Sequence, residues 1–129
     1  MLDPLLEELA RGANFAAFTT LLDGGQPQTS IMWVDCDSDH VLINTEVERL
    51  KFRNVQLDPR VDVVVWDRDN PYRYVEVRGV VAETVSGSQA REHIDSLSVK
   101  YTGKAYANPI GSPRVILKIT PSRQRRQGS

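Results

Sequence analysis

The chain is short of the residues with which many enzymes do chemistry on their own account. It has one cysteine, Cys36, so no intrachain disulfide can form and nothing marks an oxidised, secreted fold. Cys36 falls near a turn with no helix N-terminus behind it, and it is expected to be inert. Only two histidines are present, His40 and His93, and neither stands at metal-ligand spacing from a cysteine or carboxylate, so no metal site is expected. The nucleophile elbow GxSxG, the phosphate-binding P-loop and the dinucleotide fingerprint GxGxxG are all missing. No apolar run approaches the roughly 18 residues of a membrane span. The opening MLDPLLEELARG has acids inside its apolar stretch and no basic leader, unlike a signal peptide. The formal net charge of −1 supplies no global field for nucleic acid. These absences point to a cytosolic protein with neither membrane nor nucleic-acid partners, one that must borrow its chemistry from a cofactor if it is an enzyme.

What is present is a well-patterned chain. With 129 residues, 40% of them apolar, it suits one domain over 1–129. A chain this small buries only about two-thirds of its unfolded surface, and a second copy would cover more. Asp3-Pro4 reads as a helix start, with Leu5, Leu6, Leu9 and Ala10 as one stripe and Gly12 as the stop. Phe15–Leu22, the turn Asp23-Gly24-Gly25, a return strand Pro27–Asp35 and a third strand His40–Thr45 make a meander. Thr45 to Glu48 fits a capping box opening a helix that ends before Pro59. Val61–Trp66 and Tyr72–Val85 are strands around the loop 67–71, with Gly79 as a bulge. Ser86–Gln89 offers a second capping box, and Ala90, Ile94, Leu97 and Tyr101 recur at helical spacing up to Gly103. After an irregular stretch, Arg114–Thr120 is the last strand, and the polar tail 121–129 is expected to fray. The sum is mainly β, about six strands with short helices and no βαβ alternation, which favours an antiparallel barrel.

Three clusters could carry function. Arg49, Lys51 and Arg53 crowd the start of the second helix, where free N–H groups and the helix dipole favour phosphate. By themselves they fit a solvated face paired with Glu46 and Glu48 as well as a phosphate grip. Gln28 and Ser30 alternate with Thr29, Ile31 and Trp33, so an amide and a hydroxyl could meet a planar ring, while Trp33 either stacks or fills the core. Tyr72-Arg73-Tyr74 either walls a pocket or forms an ordinary hairpin.

Taken in order, the hairpin TLLDGGQPQTSIMWVD, the run VLINTEVERLKFRNVQLDPRVDVVV, the strand DNPYRYVEVRGVV, the helix HIDSLSVKYTG and the closing RVILKI resemble a known family. The chain is similar to the pyridoxamine phosphate oxidase-like split-barrel superfamily, and within it to the actinobacterial B group of deazaflavin-dependent reductases. The resemblance implies a six-stranded split barrel that forms a homodimer with cofactor sites between protomers. It implies that Arg49 and Lys51 hold a phosphate with Thr45 and Asn54 nearby, that Gln28, Ser30 and Trp33 face the ring, and that Tyr72 and Arg73 approach from the other protomer. The implied cofactor is coenzyme F420, with flavin mononucleotide (FMN) as the alternative. The implied reaction is hydride transfer from reduced F420 to an electron-poor small molecule such as an enone, a quinone or a tetrapyrrole-like compound. A non-catalytic F420 carrier and an FMN-dependent oxidoreductase are the other readings, and no catalytic residue is singled out.

Overall fold

A computed structural model describes residues 1–128. The elements are α1 (Pro4–Arg11), β1 (Phe15–Leu21), β2 (Pro27–Trp33), β3 (Asp35–Cys36), β4 (Val41–Glu46), α2 (Leu50–Leu57), β5 (Arg60–Asp67), β6 (Asn70–Ser86), α3 (Ser88–Thr102) and β7 (Arg114–Gln127). The strands form one antiparallel sheet in the order β2-β1-β5-β6-β7-β4-β3. It curls into a half-barrel, so that β2 and β4, far apart in that order, approach each other across its open side.

The inner face holds the core. Ala16 and Phe18 of β1, Val63 and Val65 of β5, Val75 and Val77 of β6 and Leu117 and Ile119 of β7 are buried together, each two residues from the next on its strand as the pleat requires. Helix α1 closes one end with the stripe read from its spacing, Leu5, Leu6, Leu9 and Ala10. Asp3 caps it by accepting from the Leu5 N–H at 2.8 Å. Gly24 and Gly25 turn the first hairpin with φ of 92° and 91°, a region other residues avoid. At Gly79 the register of β6 on β7 shifts, and a Cβ there would collide with the Thr120 carbonyl.

Four expectations need correction. There are seven strands rather than six among the described residues, because the return strand breaks at Val34 and the two-residue β3 pairs with β4 instead of β1. Thr45 is not a helix cap: it lies in β4 opposite Val115, and α2 starts at Leu50 with Arg49 in the cap position and no side-chain cap bond. Ladder pairing to β7 prevails there over the local Thr-x-x-Glu signal. Likewise Ser86 ends β6 opposite Val115, and Gly87 takes the cap position of α3 without a side-chain bond. Finally, the tail does not fray through Gln127; the end of the expected stretch, Ser129, lies outside the described residues. β7 continues along β6, with Arg123 to Gln127 opposite Arg78 to Tyr74. Two of its side chains fasten α1: the Asp3 N–H donates to Gln124 Oε1 at 2.7 Å, and Arg126 Nε donates to the Asp3 carboxylate at 3.1 Å.

This extension is structural. Ending the chain after Thr120 removes six cross-strand pairs and the Asp3–Arg126 contact. At about 0.2–1 kcal/mol per pair the loss is on the order of 1–6 kcal/mol, and the melting temperature is expected to fall by roughly 10 °C. Thermal denaturation followed by circular dichroism checks this, and an unchanged midpoint would show that the tail contributes nothing.

Candidate functional site

The open side of the half-barrel is a cleft with β2 as one lip and β4 as the other. It has a volume of about 260 Å³, and its walls include Ile31, Met32 and Trp33 of β2, Asn44 of β4, Arg114 of β7 and Tyr106. Ile94 and Leu97 of α3 contribute its apolar base. The aromatic side is prearranged. Trp33 stacks on Tyr101 with ring centroids 5.0 Å apart and planes 3° from parallel, and Tyr106 meets Trp33 edge-on at 6.3 Å. Tyr101 is fixed in turn, because its hydroxyl donates to the Asn14 carbonyl and accepts from the Val34 N–H at 3.1 Å. Burial pushes that phenol up to about 12. Beside it Lys100 Nζ donates to the carbonyls of Ala10 and Val34 at 2.9 and 2.6 Å.

The polar side of the cleft carries excess positive charge. Glu46 is buried in β4 and faces Arg114 Nη1 at 3.4 Å and Arg49 Nε at 3.9 Å. Arg114, with only 8% of its side chain exposed, also donates through Nε to Asn44 Oδ1 at 2.9 Å and lies 5.3 Å from the Tyr106 ring centre. Lys51, half-buried in the first turn of α2, has no carboxylate within ion-pair distance among the described residues. Burial and then the charges of Arg49 and Arg114 pull its pKa below the usual lysine range. Arg49 and Arg114 thus flank one buried carboxylate at the polar end of the cleft, and Lys51 lies close enough to feel the charge of both. A half-buried ammonium surrounded by like charge is costly, and an anion would relieve it.

The residues singled out from the sequence are distributed unevenly. Arg49 and Lys51 converge on this cluster, whereas Arg53 is exposed on another side of α2. Gln28 and Ser30 share one face of β2, linked at 3.3 Å, and Trp33 lies on the other face, so the three do not form one surface. Thr45 is buried in β4. Asn54 is buried too, donating to Thr20 Oγ1 at 3.0 Å, which anchors α2 to β1. Tyr72 is 81% exposed at the start of β6. Arg73 is paired within its own chain, with Glu8 at 2.7 Å and Asp67 at 3.2 Å. Sequence reasoning missed Arg114 and Tyr106, which stand far from the basic run in the chain and reach it only through β7 pairing with β4 and through the irregular 105–113 segment. It also missed His93, whose Nε2 lies 3.0 Å from Asp35 Oδ2. No three His, Cys, Asp or Glu gather at metal distance among the described residues. Cys36 is buried, and desolvation raises its thiol to about 11. No helix among the described residues is long and apolar enough to cross a membrane.

The outer face of the sheet presents a second feature. Ile31, Ala17 and Val64 form one row, and Trp33, Phe15, Trp66 and Tyr74 the next; these rows run on from the cleft, whose wall Ile31 and Trp33 also form, and Tyr101 packs on Trp33 and Phe15. Beside them a hollow of about 570 Å³ contains Asp62 and Glu76. Asp62 Oδ1 is buried without a partner. Burial and the neighbouring Glu76 raise the Asp62 carboxyl to about 6.

A curled antiparallel half-barrel with a cationic, aromatic-walled cleft along its open side is the architecture of a split barrel. Comparison with known proteins agrees. Residues 2–128 match the pyridoxamine 5'-phosphate oxidase family, and the chain belongs to it. No curated protein matches the sequence. Among solved structures, an F420 reductase is 28% identical with a TM-score of 0.81, covering 97% of this chain and 98% of its own. A conserved hypothetical protein from Mycobacterium tuberculosis is 25% identical with a TM-score of 0.77, over 98% of this chain and 84% of its own. A pyridoxamine 5'-phosphate oxidase-like protein from Listeria innocua, at 20% identity and a TM-score of 0.68 over 94% and 93%, shares the fold.

The cation cluster has a direct consequence. Lys51→Met removes the half-buried charge and is expected to melt at or above the wild-type temperature in low-salt buffer. Added inorganic phosphate should raise the wild-type midpoint and raise that of the variant clearly less. Scanning fluorimetry decides it, and a variant less stable than wild type without phosphate would mean that Lys51 has a compensating partner.

Proposed function

We propose that the protein is an oxidoreductase that binds coenzyme F420 in the cleft and uses it to reduce an electron-poor small molecule. The observation that carries the reading is the pair Arg49 and Arg114 on the buried carboxylate Glu46, with Lys51 near both arginines and without a carboxylate partner among the described residues, placed where the aromatic cleft ends. The family match and the likeness to an F420 reductase support it.

The donor set fits a phosphate attached to a planar heterocycle. Arg49 and Arg114 offer planar guanidinium forks, and Lys51 offers a mobile point charge. Thr45 and Asn54, being buried, support the grip from behind, Asn54 by holding α2 on β1. Gln28 and Ser30 offer an amide and a hydroxyl along the β2 lip, and Trp33, braced by Tyr101, walls the cleft on the other face of that strand. When bound in its reduced form, F420 supplies a hydride. The chain's own residues then bind it, orient the substrate beside it and exclude water. In this reading the protein is a homodimer, with the apolar outer rows of β1, β2, β5 and β6 covered by a second copy. Tyr72 and Arg73 of that copy complete the site, Arg73 bringing its Glu8 and Asp67 partners with it. FMN is the alternative cofactor, and a carrier without turnover the alternative role.

Titrating the purified protein with F420 and with FMN, followed by absorbance, separates the cofactors, and turnover of reduced F420 with enones and quinones separates enzyme from carrier. A charge-assisted phosphate contact is worth on the order of 1.5–3 kcal/mol, so Lys51→Ala and Arg49→Ala should each raise the Kd for F420 by roughly tenfold or more. Arg53→Ala should cost less. Binding by both Lys51→Ala and Arg49→Ala within about twofold of wild type would remove the assignment. Sedimentation at micromolar concentration is expected to give the mass of two chains, and a one-chain mass would refute the dimer.

A further inference from the structure

The cleft is wired to a histidine outside it. Arg114 Nε donates to Asn44 Oδ1 at 2.9 Å, and an arginine can only donate. Asn44 Nδ2 lies 3.0 Å from the Ala90 carbonyl, which can only accept. The Asn44 amide is therefore fixed from both ends, and its second N–H points at His93 Nδ1, 3.0 Å away. His93 Nδ1 must accept, so the ring proton sits on Nε2, which donates to Asp35 Oδ2 at 3.0 Å. The run Arg114–Asn44–His93–Asp35 thus has a single donor-to-acceptor order, and it starts from the guanidinium at the cationic end of the cleft, which separately donates to Glu46.

We propose that His93, acting through Asn44, is a positioning residue for Arg114, and that protonation of His93 loosens Arg114 from its place in the cleft. The proposal rests on the reading of the cleft as the site that holds the phosphate of the cofactor. An imidazolium carries a proton on Nδ1, which would meet the Asn44 N–H head-on. Asn44 can resolve the clash only by turning its oxygen to His93, and then its N–H group faces the donor-only Arg114 while its contact with Ala90 is lost. The groups around His93 pull against each other. Asp35 on β3 favours the imidazolium, as do Glu92 on α3 and Asp37 across the neighbouring groove, while Lys118 on β7 opposes it. Around Arg114 stand Glu46, Tyr106, Arg49 and Lys51. By linkage, an anion that holds Arg114 in place must make His93 harder to protonate.

Two measurements test this. The first needs no cofactor: nitrogen-15 NMR of the wild-type protein reads the imidazole tautomer and the Arg114 Nε–H resonance from pH 8 to pH 5. The expected result is the Nε2–H tautomer at the alkaline end and an Arg114 signal that moves with the same midpoint as His93. An Nδ1–H tautomer, or an Arg114 signal indifferent to the His93 titration, overturns the proposal. The second uses F420, whose phosphate is a diester and holds its charge over this range. The wild-type Kd should rise by about tenfold from pH 8 to pH 5, as expected for the loss of one charge-assisted contact. His93→Gln offers an oxygen to Asn44 and an N–H to Asp35 without titrating, and its Kd should stay within about threefold over the same range. F420 should also lower the pH at which His93 protonates in the wild type. Equal pH dependence in the two proteins overturns the proposal. Failure of the wild type to bind F420 at any pH overturns the cofactor reading instead, and the NMR result then decides the coupling alone.

Discussion

The ladder between β6 and β7 is the constraint on which the other parts of the molecule depend. These two strands, 17 and 14 residues long, pair from Ser86 opposite Val115 to Tyr74 opposite Gln127. Everything else hangs from them: β5, β1 and β2 on one side, β4 and β3 on the other. The bulges at Gly79 and near Ala82 release the strain of so long a ladder and increase its local twist. The twist brings the two ends of the sheet towards each other, and the cleft is the space left between them. The lips of the site are thus neighbours in space because of a pairing that involves neither of them.

The same ladder explains why positive charge collects where it does. Arg114 is the first residue of β7, directly opposite Glu46 at the end of β4. That register forces a guanidinium and a carboxylate together under cover, and α2 begins four residues beyond Glu46, carrying Lys51 into the neighbourhood. Removing an ion pair from water gains little net stability by itself. An excess of cations around one carboxylate gains less still. Such an arrangement contributes little as a brace for the fold, and an anion bound beside it would relieve the repulsion among its cations.

Most of the architecture was legible in the sequence because local signals and tertiary pairing agree over most of the chain. The α1 stripe, the Asp23-Gly24-Gly25 turn, the apolar β5 and the Gly79 bulge each follow from spacing or from a residue with one conformational use. The misreadings fall where the two levels conflict. Thr45 and Ser86 carry capping-box spacing, yet both lie in strands because a partner strand satisfies their backbone groups. The tail is polar enough to fray, yet Gln124 and Arg126 find the N-cap of α1 and keep it in the sheet. For the site, the basic run of α2 was visible as contiguous residues. Its partners Arg114, Asn44 and His93 were not, since Arg114 stands 63 positions from Lys51 and 70 from Asn44, His93 stands 49 from Asn44, and each looks ordinary in its own segment.

The buried Cys36 has a practical consequence. With its thiol shielded beneath α1 and held at about 11, the natural chain offers no thiolate to an alkylating reagent near neutral pH. A cysteine introduced at an exposed position such as Leu57 would then be the only reactive sulfur per chain. A fluorophore placed there would sit at the end of the helix that carries Lys51, so the movements of α2 could be followed without first stripping the protein of its own cysteine.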